Sequence, residues 1–336
     1  MNQPPQVQVA PKVRIHVSAT DLEKEKSDDP LCMLYMKNGI QNRWDIVGST
    51  EYLKNNLDPQ WMSTFLVSYN PQIQQFLKFV VLMHRSEIIG NRDVEYGELE
   101  IDLGTLLSNP KKNKFTLVSK SQPVIGTLII GFEMENDKDP NNSMAVCQID
   151  MKKSEKLHWY RKNKIFFEIS RPTPYCDDYF VIYRSALTKD DFEPFIIQSK
   201  RLSANTDDPK FPLRITFYDN NLLSKLVNLG SYNTSFENIN ASLKKPISIS
   251  GTNEDGKIVE STFSFESIKI LKYTPYDILR SHGLDLNLAV FVDMDVHLKP
   301  RTIDDDSIME SSIYQALSGV LETLTHFFTN QVFQAY

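Results

Sequence analysis

A short basic segment with two aromatic residues has the composition best suited to binding a charged surface. Its residues are His158, Trp159, Tyr160, Arg161, Lys162 and, after one asparagine, Lys164. Trp and Tyr favour the headgroup region of a bilayer, and each basic residue near an anionic leaflet contributes roughly 1 kcal/mol. The segment therefore predicts a loop that binds anionic lipid or another anionic partner. The alternative is a solvated strand end whose aromatic residues pack on the domain.

Residue types that carry out catalysis are present, but their spacing supports no reaction. The six histidines (His16, His84, His158, His282, His297 and His326) show no metal-ligand spacing and no pairing with a serine or cysteine. The three cysteines (Cys32, Cys147 and Cys176) are far apart and odd in number, which favours reduced thiols over disulfides. No glycine-rich loop is arranged to hold a phosphate. The sequence predicts a protein that is not an enzyme.

Length and charge restrict the classes of protein further. The chain has 336 residues, enough for about two domains and a remnant, and its net charge is −6. A general nucleic-acid binder would carry a basic excess, so we expect no nucleic-acid partner. No apolar run reaches the roughly 18 residues that a membrane-spanning helix needs, and the first residues lack the pattern of a secretory signal. These features predict a cytoplasmic protein.

The elements that must position these residues are mostly strands. Short apolar or alternating runs separated by turn residues recur from residue 12 to about residue 270, which is typical of β-sandwiches. The predicted strands are 12–17, 31–36, 43–47, 76–83, 96–102, 115–118, 126–135, 144–150, 164–170, 179–183, 194–198, 213–218 and 261–271. A polar, proline-containing stretch at 136–143 divides them into two sets and is predicted to be a linker.

The two sets of strands are related by an internal repeat. The segment TEYLKNNLDP at 50–59 aligns with SALTKDDFEP at 185–194, which is a shift of 135 residues. The runs at 31–34 and 166–169 agree at the same shift, and those at 77–82 and 213–218 agree at 136. A period of this length is one sandwich-sized unit, so the sequence predicts a duplicated sandwich.

The pattern changes after Tyr273. A buried-strand run at 286–295 is followed by apolar residues at helical spacing over 313–328 and by a strand-like run at 331–336. Two strands and one helix cannot bury their faces alone. We therefore expect 273–336 to pack on the second sandwich or to be completed by a partner protein; the alternative is a partly disordered remnant.

This succession resembles the copine family. The residues that carry the resemblance are SDDPLCMLYMKN with GSTEYLKNNLDPQWMSTF in the first set, and YTPYDILRSHGLDLNLAVFVDMD after the second. The resemblance implies a mainly β chain, with two tandem antiparallel C2-like sandwiches and a C-terminal partial α/β element like a von Willebrand factor A domain. The expected divisions are an N-terminal tail at 1–11, sandwiches at 12–136 and 143–272, and a truncated A-like segment at 273–336.

The resemblance also implies calcium sites between apical loops, which can be checked residue by residue. In the first sandwich, Glu23 and Asp29 occupy the expected positions of loop one. Loop three falls on Leu82 to Arg85 and on Val94, where the family has aspartates. About five carboxylates would suit a hard cation with six to eight oxygen ligands. A misalignment that brings in Asp28 or Asp93 is the alternative; otherwise calcium binding is not expected here.

The remaining metal positions are weaker still. In the second sandwich the ligand positions fall on His158, Lys164, Asp219, Asn221 and Val227, and an ammonium group there repels calcium. In the A-like segment Asp293 and Asp295 could each offer an oxygen, but His297 replaces a hydroxyl ligand. The sequence therefore predicts vestigial metal positions and no cofactor, although calcium is what the resemblance implies.

Two functions remain open at this point. The lost calcium ligands and the short A-like segment favour a structural or adaptor protein whose degenerate sandwiches bind protein partners within a larger assembly. The family resemblance and the basic segment at 158–164 favour a peripheral membrane protein that binds anionic phospholipid with weak or no calcium dependence. Either function is compatible with a cytoplasmic protein that attaches to a membrane surface or to a cytoskeletal assembly.

Overall fold

A computed structural model describes most of the chain up to residue 272. The described residues are 10–22, 29–39, 43–54, 56–87, 90–119, 126–135, 143–152, 164–188, 192–204, 206, 208–220, 227–252 and 258–272. The predicted A-like segment lies outside them, as do most of the predicted tail and linker. The boundaries assigned to the domains stay a prediction.

The first sandwich contains eight strands and one short helix. They are β1 (Lys12–Thr20), β2 (Asp29–Asn38), β3 (Asp45–Ser49), β4 (Gln60–Ser68), β5 (Gln75–Glu87), β6 (Gly90–Asp102), α1 (Leu103–Ser108), β7 (Lys114–Thr116) and β8 (Thr127–Met134). One sheet has the order β4-β1-β8-β7 and the other β3-β2-β5-β6. Asp102 begins the helix because its carboxylate accepts a hydrogen bond from the Thr105 backbone N–H at 2.8 Å.

The second sandwich repeats this plan. Its elements are β9 (Ser143–Lys152), β10 (Lys164–Thr173), β11 (Cys176–Arg184), β12 (Phe195–Gln198), α2 (Ser199–Leu202), β13 (Pro212–Asn220), β14 (Val227–Ser235), α3 (Phe236–Ala241), β15 (Ile247–Thr252) and β16 (Ile258–Lys272). The sheets have the orders β12-β9-β16-β15 and β11-β10-β13-β14. Each order is that of the first sandwich with eight added to every strand number, so the predicted duplication is confirmed.

Alternation along the strands explains the two cores. On β1 the side chains of Val13, Ile15 and Val17 point inward and are fully buried. Side chains from both sheets meet there, with Trp61 and Phe79 the largest. Each such side chain contributes about 1.5–3 kcal/mol by leaving water. These apolar runs made the sandwich fold predictable from the sequence.

The second core is built mainly from phenylalanine rings. Phe167 lies at its centre, with its ring centroid 4.8 Å from that of Phe192, 5.4 Å from Phe195 and 5.7 Å from Phe217. Phe263 of β16 continues the cluster at 4.8 Å from Phe217. Aromatic pairs at these separations contribute beyond their buried area, so the second sandwich has a well-defined core of its own.

Three strands and the short helices are absent from the predicted elements. Strand β4 carries buried residues at Trp61, Phe65 and Val67, but the polar Ser63 and Thr64 and the exposed Leu66 between them weaken the apolar pattern. Strands β14 and β15 are the edge strands of their sheets, and their sequences are dominated by Ser, Asn, Thr and Gly. Backbone pairing with β13 and β16 holds them in place, and this pairing leaves no apolar periodicity in the sequence. Within the described part of the chain, no helix has the length and hydropathy needed to cross a membrane.

Candidate functional site

The apical end of the first sandwich is where the resemblance places calcium. Strand β2 begins there at Asp29, which pairs with His84 on β5, and His84 pairs in turn with Asp93 on β6. Strands β5 and β6 stay paired as far as Glu87 and Gly90. The expected loop three is therefore a long hairpin, and the residues from Leu82 to Arg85 lie within strand β5 rather than in a loop.

The side chains at this end are already paired with one another. The Nδ1 atom of His84 lies 2.7 Å from Oδ1 of Asp93, and the Tyr52 hydroxyl donates to Oδ2 of Asp93 at 3.3 Å. The rings of Tyr52 and His84 are in contact, with centroids 4.7 Å apart. Partial burial and the Asp93 charge raise the pKa of the Tyr52 phenol, so it keeps its proton as a donor at neutral pH.

This arrangement does not fit a calcium ion. Both oxygens of Asp93, the alternative ligand, are engaged by His84 and Tyr52. Calcium needs several oxygen ligands converging on one point. Across the described ranges, no group of three or more His, Cys, Asp or Glu side chains is placed to hold a metal. Asp29 stands at the same edge, while Glu23, its predicted companion, lies outside the described residues.

The corresponding end of the second sandwich contains two of the predicted positions. Lys164 is exposed at the first residue of β10 and pairs with Asn220 at the end of β13. Asp219 is buried one residue away and pairs through its backbone with Ile165. The topology thus brings an ammonium group and a carboxylate to the same end of two adjacent strands, β10 and β13. The other predicted residues (His158, Trp159, Tyr160, Arg161, Lys162, Asn221, Asp293 and Asp295) lie outside the described residues.

A buried ionic cluster between the two sandwiches has no counterpart in the sequence analysis. Arg171 of β10 donates from Nη2 to both carboxylate oxygens of Glu133 on β8, at 2.8 and 3.1 Å. Nε2 of His16 on β1 lies 3.1 Å from the same carboxylate. Each of these residues is at most 2% exposed. We call this group, Arg171, Glu133 and His16, the junction cluster.

Burial and charge decide the protonation states in the junction cluster. Burial alone would raise the pKa of Glu133, but the His16 hydrogen bond and the Arg171 charge outweigh it and lower the pKa to about 2. Burial lowers the pKa of His16, with Glu133 opposing the effect, so the imidazole is neutral at pH 7. The cluster therefore carries one buried ion pair that joins the two sandwiches at neutral pH.

Further contacts surround the junction cluster. Arg184 of β11 donates to Glu168 at 2.7 Å, to Glu51 at 3.3 Å and to the Gln60 carbonyl at 2.8 Å, and the last two belong to the first sandwich. Phe180 of β11 packs so closely against β8 that a Cβ atom added to Gly131 would overlap its ring. Polar and apolar contacts together fix the second sandwich on the β4-β1-β8 face of the first.

A further polar contact lies at the other side of the same junction. Nδ2 of Asn113 donates to Asp178 at 2.7 Å, and Nζ of Lys114 lies 3.1 Å from the other oxygen of Asp178. One signal in the sequence could have indicated a buried pair, namely a charge within a strand run. Glu133 lies between Phe132 and Met134, and Arg171 lies two residues after Ile169. Their partners are far away in sequence, so the pairing itself requires the fold.

Comparison with known proteins agrees with this architecture. The C2 domain family matches residues 12–118, and the strands and paired sheets above make the chain a protein with tandem C2-type sandwiches. Copine-D of Dictyostelium discoideum is 26% identical over 208 residues, covering 60% of this chain and 35% of that protein. Copine-B of the same organism is 23% identical over 305 residues, covering 84% of this chain and 55% of that protein. These matches confirm the copine resemblance.

The chain spans between about a third and just over half of the length of these copines. Among solved structures, the tandem C2 domains of Extended-Synaptotagmin 2 are 15% identical, with 82% of this chain and 96% of that chain covered and a TM-score of 0.29.

Proposed function

We propose that this protein is a non-enzymatic adaptor whose two degenerate C2 sandwiches bind protein partners within a larger assembly. The observation that carries the proposal is the His84–Asp93–Tyr52 group at the apical end of the first sandwich. There, side chains of the protein occupy the carboxylate that a calcium ion would need. A sandwich without calcium chemistry still offers two rigid sheet faces to partners.

The junction between the sandwiches supports the same proposal. Arg171 and Arg184 each make contacts from the second sandwich to the first; the contact of Arg171 with Glu133 is buried, and that of Arg184 with the Gln60 carbonyl is partly buried. Two domains fixed in this way present their outer surfaces at a constant distance and angle. Such a fixed geometry suits an adaptor that holds partners in a constant relation to each other. We further propose a cytoplasmic location and a protein partner that covers or completes 273–336.

One observation favours the second candidate function, binding to an anionic membrane without calcium. Lys164 is exposed at the first residue of β10, and the basic and aromatic residues 158–162 precede it in the sequence. A cation at this apical edge suits an anionic leaflet, and its contribution requires no metal.

Co-sedimentation with phosphatidylserine vesicles, with calcium or with a chelator, distinguishes these candidates. The adaptor is expected to stay in the supernatant in both conditions. Calcium-independent sedimentation that Trp159→Ala, Arg161→Ala and Lys162→Ala together abolish would establish the membrane candidate instead. Lys111→Ala with Lys112→Ala removes two exposed charges elsewhere and serves as the control. Sedimentation that requires calcium would contradict both candidates.

The adaptor also makes a positive prediction about the full chain in cells. Chemical cross-linking of the tagged protein, followed by mass spectrometry, should give repeated cross-links from lysines on both sandwiches to the same partner. A calcium chelator should leave these cross-links unchanged. A protein that migrates at its own mass of 38.8 kDa without such cross-links would refute the adaptor function.

A further inference from the structure

A polar cavity lies between the two sandwiches, next to the junction cluster. Its volume is about 270 Å³. The lining residues are Arg14, Met62, Ser63 and Thr64 from β1 and β4, with Gln198 and Arg201 from the second sandwich. Two guanidinium groups, hydroxyl groups and an amide surround a space that a small polar ligand can enter.

One arginine of this cavity, Arg201, has no carboxylate partner within the described part of the chain. Arg171 is paired with Glu133, and Arg14 is hydrogen-bonded to Glu135 and lies 3.8 Å from Glu133. Glu51, which accepts hydrogen bonds from Met62 and Ser63 of the lining, is paired with Arg184. Among the described residues, no carboxylate pairs with the remaining arginine, Arg201. The His16 imidazole adds no charge because burial keeps it neutral.

Arg201 stands in an environment that favours an added anion. Its side chain is half-buried, and burial followed by the charges of Arg14 and Arg171 lowers its pKa. Half-buried charges are normally compensated by an opposite charge. Arg201 therefore differs from a solvated surface arginine, because burial removes part of its hydration and two neighbouring cations repel its charge.

We propose that this cavity binds the phosphate monoester group of a small soluble molecule. An arginine fork donates two parallel hydrogen bonds to phosphate oxygens, and Arg201 lines the cavity without a carboxylate partner among the described residues. Arg14 faces it from the other domain and adds mainly its charge, because its donors already contact Glu135 and Thr64. Thr64 adds a donor, since its oxygen accepts from Arg14 at 2.8 Å and its hydroxyl proton stays available. Ser63 contributes less, because its hydroxyl already donates to Glu51 at 2.6 Å.

The size of the cavity limits the ligand. A volume of about 270 Å³ is slightly below the range of roughly 300–1,000 Å³ that is usual for small-molecule sites. A sugar phosphate or an inositol phosphate suits it, and the same group can also reach the site as the headgroup of a phosphoinositide lipid. The shared chemistry is the phosphate monoester, and the experiment separates its two sources.

The decisive variant is Arg201→Gln, tested in the full chain. It removes the guanidinium group but keeps the backbone carbonyl of residue 201, which accepts a hydrogen bond from Arg171 Nε. Lys200→Gln removes the same charge from the neighbouring residue, which does not line the cavity. The two variants therefore have the same net charge, but only Arg201→Gln changes the lining of the cavity.

Isothermal titration with a soluble inositol trisphosphate is the first arm, and flotation with phosphatidylcholine vesicles that contain a phosphatidylinositol bisphosphate is the second. We expect wild type and Lys200→Gln to bind the soluble ligand equally, and Arg201→Gln to bind it about tenfold more weakly or worse. Equal affinity in Arg201→Gln, or no binding by the wild type, would overturn the proposal. Binding to the vesicles alone, lost in Arg201→Gln, would overturn the soluble source and assign the site to a lipid headgroup.

Discussion

Replacing Glu133 with glutamine tests whether the junction cluster stabilises the folded chain as an ion pair. The carboxylate accepts two hydrogen bonds from Arg171 and one contact from His16, at 2.8 to 3.1 Å. In Glu133→Gln the guanidinium group of Arg171 remains buried without an opposite charge. Breaking a buried pair in this way costs about 3–5 kcal/mol. We expect a loss of that size in the free energy of unfolding at pH 7.

The pKa of Glu133 gives an independent magnitude and a pH dependence. A carboxyl group whose pKa is lowered from 4.5 to about 2 on folding contributes about 3 kcal/mol. Because the folded-state value is the lower one, this contribution is complete above about pH 4.5 and is lost as the pH falls towards 2. The difference between wild type and Glu133→Gln should therefore shrink to about half or less near pH 3.

Urea unfolding of the full chain, followed by tryptophan fluorescence across this pH range, measures both effects. Glu100→Gln is the control, since Glu100 is exposed and pairs with Lys78 only at 3.7 Å, and its loss should stay below about 0.5 kcal/mol. The double variant Glu133→Leu with Arg171→Met should recover most of the stability, because it leaves no unpaired charge. A loss below about 1 kcal/mol, or one that does not change with pH, would refute the ion-pair reasoning.

Three other predictions concern the junction and the core. Gly131→Ala should cost about 1–3 kcal/mol in urea unfolding, and Phe180→Leu in the same chain should recover part of it; additive losses would contradict the close contact. Cys32 should resist iodoacetamide in the native protein, as read by mass spectrometry, because it is buried and burial raises the pKa of its thiol; rapid labelling would show that the core opens. Arg184→Met should destabilise the chain by about 1–3 kcal/mol, increasingly as the pH rises above about 4.5. Burial raises the pKa of Glu168, and the Arg184 charge opposes this increase. Once Glu168 is ionised, the variant leaves its carboxylate without a cation, which is why the loss should grow with pH. A loss that does not change with pH in the same titration would contradict this explanation.

The sandwich fold was predictable because burial leaves a periodic pattern in the sequence. Runs such as 76–83 and 164–170 alternate in the strands and form the two cores. The edge strand β15 was not predictable, because its sequence ISISGT gains stability from backbone pairing, which any residue type can provide.

The candidate sites were predictable to a smaller extent. Asp29 was expected in loop one and is instead the first residue of β2, and Leu82 to Arg85, expected in loop three, lie within β5. The contact between His84 and Asp93 was not predictable, because it depends on the register of β5 and β6. The junction cluster joins residues from three strands that are far apart in the chain. Its charges are visible in the sequence, but their partners are fixed by the docking of one domain on the other.

The junction also has a consequence for self-association. It is a heterologous contact, made by one face of the first sandwich and a different face of the second, so in principle another copy could add to either end. At the repeat shift of 135, the counterpart of Arg171 in the first sandwich is Met36, which packs on the apolar core. A Glu133 from another molecule would meet Met36 there in place of Arg171 and would lose the ion pair. The ion pair therefore makes the contact specific to these two domains and opposes the growth of filaments from a duplicated fold.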